Sequence, residues 1–248
     1  MNSFSARGRR WLFWGALFLF FNGFFVARVP QATRPELAGV SAVFVLVLWA
    51  PSAWALAKWL GWKRAALLLL ALGAFAVFIE TFAVLTGWPY GRFEYGDKIG
   101  LKYFGVVPWT VPFAWSPLVL GATALAARFG RSARDLAIGT VVWLLLFDGV
   151  LDPGAVAQKF WSYDAGGLYY GVPLSNFFGW VVSGFLGAAI FYWGSEKKRV
   201  VPLTLVSSVV LILAFWTSVC LFSGLWVPGI LGAGILGWSA KAIRSSPL

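Results

Sequence analysis

Residues 200–240, VVPLTLVSSVVLILAFWTSVCLFSGLWVPGILGAGILGWSA, run for 41 residues without a charge. A helix crosses the hydrocarbon core of a bilayer in about 20 mostly apolar residues, so this stretch holds two crossings. Ser223-Gly224, just ahead of Pro228, is the natural break between them. Toward the N-terminus, further uncharged runs occupy 11–27, 37–57, 65–79, 103–127, 136–147 and 165–195. Together they predict eight helices, at 11–27, 37–57, 65–85, 106–127, 135–151, 174–193, 201–222 and 224–240, the last short enough to be re-entrant instead. The expected fold class is all-α: a polytopic transmembrane helix bundle of about eight spans, forming one integral membrane domain over 1–248. The first run follows several arginines, as a signal peptide would. No clean small-x-small cleavage site follows it, so it is read as a helix.

Composition agrees and removes whole classes of chemistry. Of the 248 residues, 60% are hydrophobic and 12% charged, the latter about half the roughly 25% of a soluble domain. The chain has no histidine. That removes Ser-His triads, His-ligated haem and zinc, and the iron site built from two histidines and a carboxylate. The single cysteine, Cys220, lies in an apolar run, so neither an intrachain disulfide nor a metal site is expected. Acid–base work therefore falls to carboxylates, Tyr, Lys or water. The net charge of +11 raises nucleic acid as a partner. Its distribution argues against that, because Lys and Arg gather at the helix ends, where membrane topology requires them.

With the N-terminus inside, fourteen Lys and Arg fall on the inner side, among them Arg7, Lys58, Arg128, Lys197 and Lys241. Six fall outside: Arg28, Arg34, Arg92, Lys98, Lys102 and Lys159. This alternation puts both termini on the cytoplasmic side of the cytoplasmic (inner) membrane. Two outer segments, 86–105 and 153–173, are longer than ordinary helix connections and rich in Gly, Pro, Trp and Tyr. They are expected to fold back over the helices or re-enter the membrane.

Glu36, Asp135 and Glu196 read as ordinary loop acids. The other six of the nine acids are Glu80, Glu94, Asp97, Asp148, Asp152 and Asp164. All six map to the outer half of the bundle or its two long loops. Glu94, Asp97 and Asp164 are expected to be solvated. Glu80 follows Ala74-Phe75-Ala76-Val77-Phe78-Ile79, and Asp148 follows Trp143-Leu144-Leu145-Leu146-Phe147. A charge there costs a few kcal/mol and faces a cavity or a partner. Asp152 follows Asp148 by four positions, which sets both carboxyls on one helix face with Cβ atoms about 6 Å apart. Like charges that close resist ionising together, so one of the pair is expected to keep a proton, making an acid beside a base. Pro153 is expected to stop the helix after Asp152, and Asn176 to cap helix six with its amide inward, Trp180 one turn on. The competing reading ties these acids to Arg92, Lys98 or Lys159 as loop fasteners. Gly232, Gly234 and Gly237 match G-x-G-x-x-G, but no strand precedes them, and close helix packing is the better reading.

Several of these residues belong to longer elements: Glu80; Thr86-Gly87-Trp88-Pro89-Tyr90-Gly91-Arg92-Phe93-Glu94-Tyr95; Val107-Pro108 with Trp115; Asp148-Gly149-Val150-Leu151-Asp152-Pro153; Trp161; and Tyr169-Tyr170-Gly171-Val172-Pro173-Leu174-Ser175-Asn176-Phe177-Phe178-Gly179-Trp180. In these, over about 75–185, the chain resembles the membrane-bound carotenoid biosynthesis family that includes the carotenoid 1',2'-hydratases and the bacterioruberin-type hydratases. The resemblance implies addition of water to the terminal C=C of an acyclic carotenoid end group, lycopene- or γ-carotene-like, without a cofactor. The implied partners are a long apolar polyene, water and the lipid bilayer, with room for association with other carotenoid enzymes. Asp148 is then the proton donor and Asp152 its tuning or water-binding partner. Glu80 is a second base, and Asn176 positions water. Trp88, Tyr90, Arg92, Tyr95, Trp115, Trp161, Tyr163, Tyr170 and Trp180 are candidates for lining the polyene site, the rings also steadying a cation through their faces. Interfacial anchoring is the plainer role for the same rings. A carotenoid end-group cyclase or isomerase would use the same protonation, and a small membrane transporter would also carry intramembrane acids.

Overall fold

A computed structural model describes residues 4–29, 38–130, 132–198 and 200–245. Glu36, Arg34, Arg131 and Arg199 lie outside the described residues. Among the described residues the chain forms eight helices: α1 (Ala6–Arg28), α2 (Ala38–Leu60), α3 (Trp62–Thr86), α4 (Val111–Ala126), α5 (Ala133–Ala157), α6 (Leu174–Gly194), α7 (Ser207–Phe222, entered through a 3-10 turn at Leu203–Val206) and α8 (Trp226–Ser245). Each falls on an expected segment. Six are long and apolar enough to cross a membrane, α7 counted with its 3-10 turn; α4 is a shorter apolar helix, and α8 is not among the six. Length and composition thus support a polytopic bundle with fewer clear crossings than eight.

α4 and α7 form the axis of the bundle and are buried along nearly all their length. α1 lies along α7, while α2, α3 and α5 pack around α4. Because the axis is apolar, its neighbours are held partly by small hydroxyls. Ser52 Oγ donates to the Leu205 carbonyl at 2.7 Å, and Ser208 Oγ donates to the Trp49 carbonyl at 3.2 Å. Ser218 Oγ donates to the Phe20 carbonyl at 2.5 Å. Such bonds satisfy polar atoms where water is absent.

The two long loops pair with each other. β1 (Phe93–Tyr95) runs antiparallel to β4 (Trp161–Tyr163), with Phe93 opposite Tyr163 and Tyr95 opposite Trp161. A second small ladder joins β2 (Lys102–Tyr103) to β3 (Val107–Pro108). Strand alternation decides which side chains turn inward. Phe93 is buried and Tyr95 half-buried, while Arg92 and Glu94 are exposed.

Pro153 does not end α5, which continues to Ala157. Proline supplies no N–H to the carbonyl four residues back, which here is that of Gly149. Tyr169 Oη donates to that carbonyl at 2.9 Å, so a side chain from the following loop replaces the missing bond. Asn176 does not cap α6 either. Pro173 is the N-cap residue, its carbonyl accepting the Asn176 backbone N–H at 3.1 Å, which leaves the Asn176 amide free for other partners.

The glycine triplet of α8 separates by packing. A Cβ on Gly232 would sit 2.1 Å from Thr217 Oγ1 and 3.1 Å from Val150 Cγ1, whereas Gly234 and Gly237 face open space. Gly232→Ala is therefore expected to lower the thermal unfolding midpoint in detergent, by the equivalent of about 1–3 kcal/mol of overpacking. Gly234→Ala is expected to leave that midpoint unchanged or raise it slightly.

Candidate active site

Three helices deliver the buried polar groups. α3 brings Glu80, α5 brings Asp148 and Asp152, and α6 brings Asn176, with none of the four more than 8% exposed. The Asn176 side-chain amide bridges the two aspartates. Its Nδ2 donates to Asp148 Oδ2 at 2.8 Å and to Asp152 Oδ2 at 2.6 Å. The spacing of four within α5 makes this geometrically possible, because both carboxyls leave the same face.

The paired loops supply the remaining donors. Tyr163 Oη, from β4, donates to Asp152 Oδ2 at 2.7 Å. Tyr95 Oη, from β1, donates to Glu80 Oε2 at 2.9 Å. Burial and the facing Glu80 carboxyl push the Tyr95 hydroxyl well above the usual tyrosine range, and burial and Asp152 do the same to Tyr163. Both remain protonated donors at neutral pH.

Lysine and arginine do not hold these acids. The ion pairs among the described residues join Glu196 to Arg64 and, at 3.9 Å, to Lys198. Lys98 Nζ donates instead to the Gln158 carbonyl at 3.0 Å, tying one loop to the other. Loop fastening through Arg92, Lys98 or Lys159 is thus not the role of Glu80, Asp148 or Asp152. Glu94, Asp97 and Asp164 are exposed, as solvated acids should be.

Glu80, Asp148, Asp152 and Asn176 line one cavity of about 780 Å³. Its wall near the acids is an arc of rings in mutual contact. Trp115 stacks on Trp180 at 6.3 Å, Trp180 meets Tyr90 at 6.2 Å, and Tyr90 meets Phe93 at 6.4 Å. Phe93 meets Tyr163 at 5.7 Å, and Tyr95 meets Trp161 at 6.0 Å. The Tyr90 ring fits against α6 because position 179 is glycine, where a Cβ would lie 2.1 Å from it. Three buried polar atoms of cavity-lining residues have no hydrogen-bond partner: Tyr90 Oη, Trp115 Nε1 and Asp148 Oδ1. Each such atom costs about 1–3 kcal/mol when left unengaged.

Three residues expected to line the site do not reach it. Trp88 is 51% exposed and packs on Phe82 outside the cavity. Arg92 points to solvent because strand alternation turns Phe93 and Tyr95 inward. Tyr170 lies at a left-handed turn, and its hydroxyl accepts from the Val227 N–H at the start of α8. In exchange, the cavity takes Asn22 and Val26 from α1, Phe44 and Leu48 from α2, and Ile212, Phe215 and Trp216 from α7. Most of these are indistinguishable in sequence from lipid-facing residues. A lone polar residue in an apolar helix, Asn22, is the available signal.

The family model described as "Carotenoid biosynthesis protein" matches residues 38–238. This chain belongs to that family. Among its relatives is the bisanhydrobacterioruberin hydratase of Haloarcula japonica, 38% identical over 193 residues, a match covering 72% of this chain and 65% of the relative. The chain thus spans a little under two thirds of that protein's length. No solved structure matches it. The matched region takes in every acid of the site and every ring of the arc, and begins beyond α1.

Removing the bridging amide tests the cluster independently of any activity. Asn176→Leu leaves two buried carboxyls short of a donor and is expected to cost about 1–3 kcal/mol per unengaged group. That reads as a clear fall in thermal midpoint. Trp88→Leu, at a largely exposed ring, is expected to shift it little.

Proposed function

We propose that the chain is a carotenoid hydratase, adding water to the terminal C=C of an acyclic carotenoid end group. One observation carries this reading. Asp148, a residue of the ring-walled cavity, keeps Oδ1 without a hydrogen-bond partner while its other oxygen is tied through Asn176 to Asp152. The name of the Haloarcula relative supports it from outside the geometry.

The step balances without a cofactor. Asp148, protonated on its free Oδ1, gives that proton to the less substituted alkene carbon. The alkene π electrons form the new C–H bond and leave a tertiary cation. The faces of Trp115, Trp180 and Tyr90 stabilise the charge. A water oxygen bonds to the cationic carbon and releases a proton to Asp152. The product is a tertiary alcohol. The pair ends with its proton on Asp152 instead of Asp148, and one exchange within the pair resets it. Asp152 suits the acceptor role because Asn176 and Tyr163 already orient its Oδ2. Asn176 holds the two carboxyls in place, in addition to any influence on water. Glu80, backed by Tyr95, is the second base near the same cavity. The Lys and Arg distribution supports a cytoplasmic-membrane protein with both termini inside and this site near the opposite face.

Asp148→Asn and Asp152→Asn are each expected to lower hydration of lycopene about 10²- to 10⁴-fold, the usual worth of a positioned acid or base. Asp164→Asn is expected to retain near-normal turnover. The assay is product mass after co-expression with a lycopene pathway: hydration adds one water per reacted end, and cyclisation leaves the mass unchanged. Near-normal turnover in both aspartate variants would reject the acid-pair mechanism, and an unchanged product mass would favour the cyclase.

A further inference from the structure

The cavity does not end at the ring arc. It continues past α4 into an arm lined by Asn22 and Val26 of α1, Phe44 and Leu48 of α2, and Ile212 and Phe215 of α7. On α2 the lining positions 40, 41, 44, 45 and 48 fall at helical spacing, so one continuous face of the helix borders the arm. Asn22 and Val26 are likewise one turn apart on α1. The arm lies between three helices. α1 and α2 both pack on α7: α1 through Gly15, beside Leu211, and Gly23, beside the Phe215 carbonyl and Ser218; α2 through Ser52, whose N–H donates to Ser208 Oγ at 3.0 Å, and through Phe44, whose ring lies 5.0 Å from that of Phe215.

The arm reaches the surface. Val40 belongs to its lining and is 64% exposed. Exposed side chains next in sequence to the lining positions of the two helices are apolar, Phe21 and Phe25 on α1 and Val43 on α2. A rim of that chemistry faces lipid hydrocarbon, not water.

We infer that the arm between α1, α2 and α7 binds the apolar chain behind the reacting end of the substrate, and that the substrate reaches the acids laterally from the bilayer through the gap between α1 and α2. The inference rests on the polyene reading above and adds a route and a second subsite. The occupant is a long hydrocarbon dissolved in the membrane. Its reacting end stops at Asp148, and the rest of its length trails along Phe215 and Leu48 toward lipid.

The test uses the full chain in lipid nanodiscs. Cys220 is buried, so a thiol introduced by Ser41→Cys or Val47→Cys can be followed with a membrane-soluble maleimide. Lycopene is expected to slow labelling of Ser41→Cys about tenfold and to leave Val47→Cys, on the same helix but outside the cavity lining, unaffected. Ser41→Trp, which fills the arm, is expected to raise KM for lycopene with kcat near wild type. If wild-type protein hydrates lycopene while lycopene protects neither thiol and Ser41→Trp leaves KM unchanged, the arm is not the chain-binding route. If wild-type protein does not convert lycopene at all, the underlying reading fails, and the two failures are thereby distinguished.

Discussion

Three carboxyl groups inside an apolar bundle set the terms for everything around them. A buried polar group left without a hydrogen-bond partner costs about 1–3 kcal/mol, more when it is charged, so donors must reach these groups from elsewhere in the chain. Asn176 comes from α6, Tyr95 from one long loop and Tyr163 from the other. The β1–β4 pairing is what brings the two tyrosines to the same end of the bundle. The loops are long and aromatic because they serve as the lid of a polar cluster, and their composition matches that duty.

The same cluster explains why α5 runs straight through a proline. Had the helix stopped at Asp152, the two carboxyls would not be held one turn apart on a rigid element. Tyr169 satisfies the Gly149 carbonyl that Pro153 leaves without a donor, and α5 keeps its course for another turn. Burial pushes this tyrosine up to about 12, so it stays a donor. A local rule against proline in helices is here overridden by a contact from 16 residues farther along the chain.

Much of the architecture was legible in the sequence because bilayer thickness imposes a length on every apolar run. The eight helices fall on the seven uncharged runs, the longest of which holds two, and the costly acids Glu80 and Asp148 stand out against Ile79 and Phe147. The i, i+4 relation of Asp148 and Asp152 needed helix geometry alone. Tyr170, Arg92 and Trp88 lie outside the cavity lining for a common reason. Their direction depends on strand register and turn conformation inside the loops, and register is fixed by a partner strand almost 70 residues away. The arm of the cavity is unreadable for another reason: Val26, Phe44 and Phe215 look like any lipid-facing or core residue until the cavity they share is seen.

Hydration and cyclisation share their first step, so the protonating acid cannot separate them. What meets the tertiary cation next decides the product. Ring closure requires the substrate to fold back so that an internal alkene lies against the cationic carbon. An arm that leads away from Asp148 toward α1 and α2 favours an extended chain and keeps that alkene at a distance. On the proposed mechanism water competes with that alkene beside Tyr90 and Trp115, two cavity residues whose Oη and Nε1 have no hydrogen-bond partner. On this reading the shape of the cavity, more than the strength of its acid, selects the alcohol over the ring.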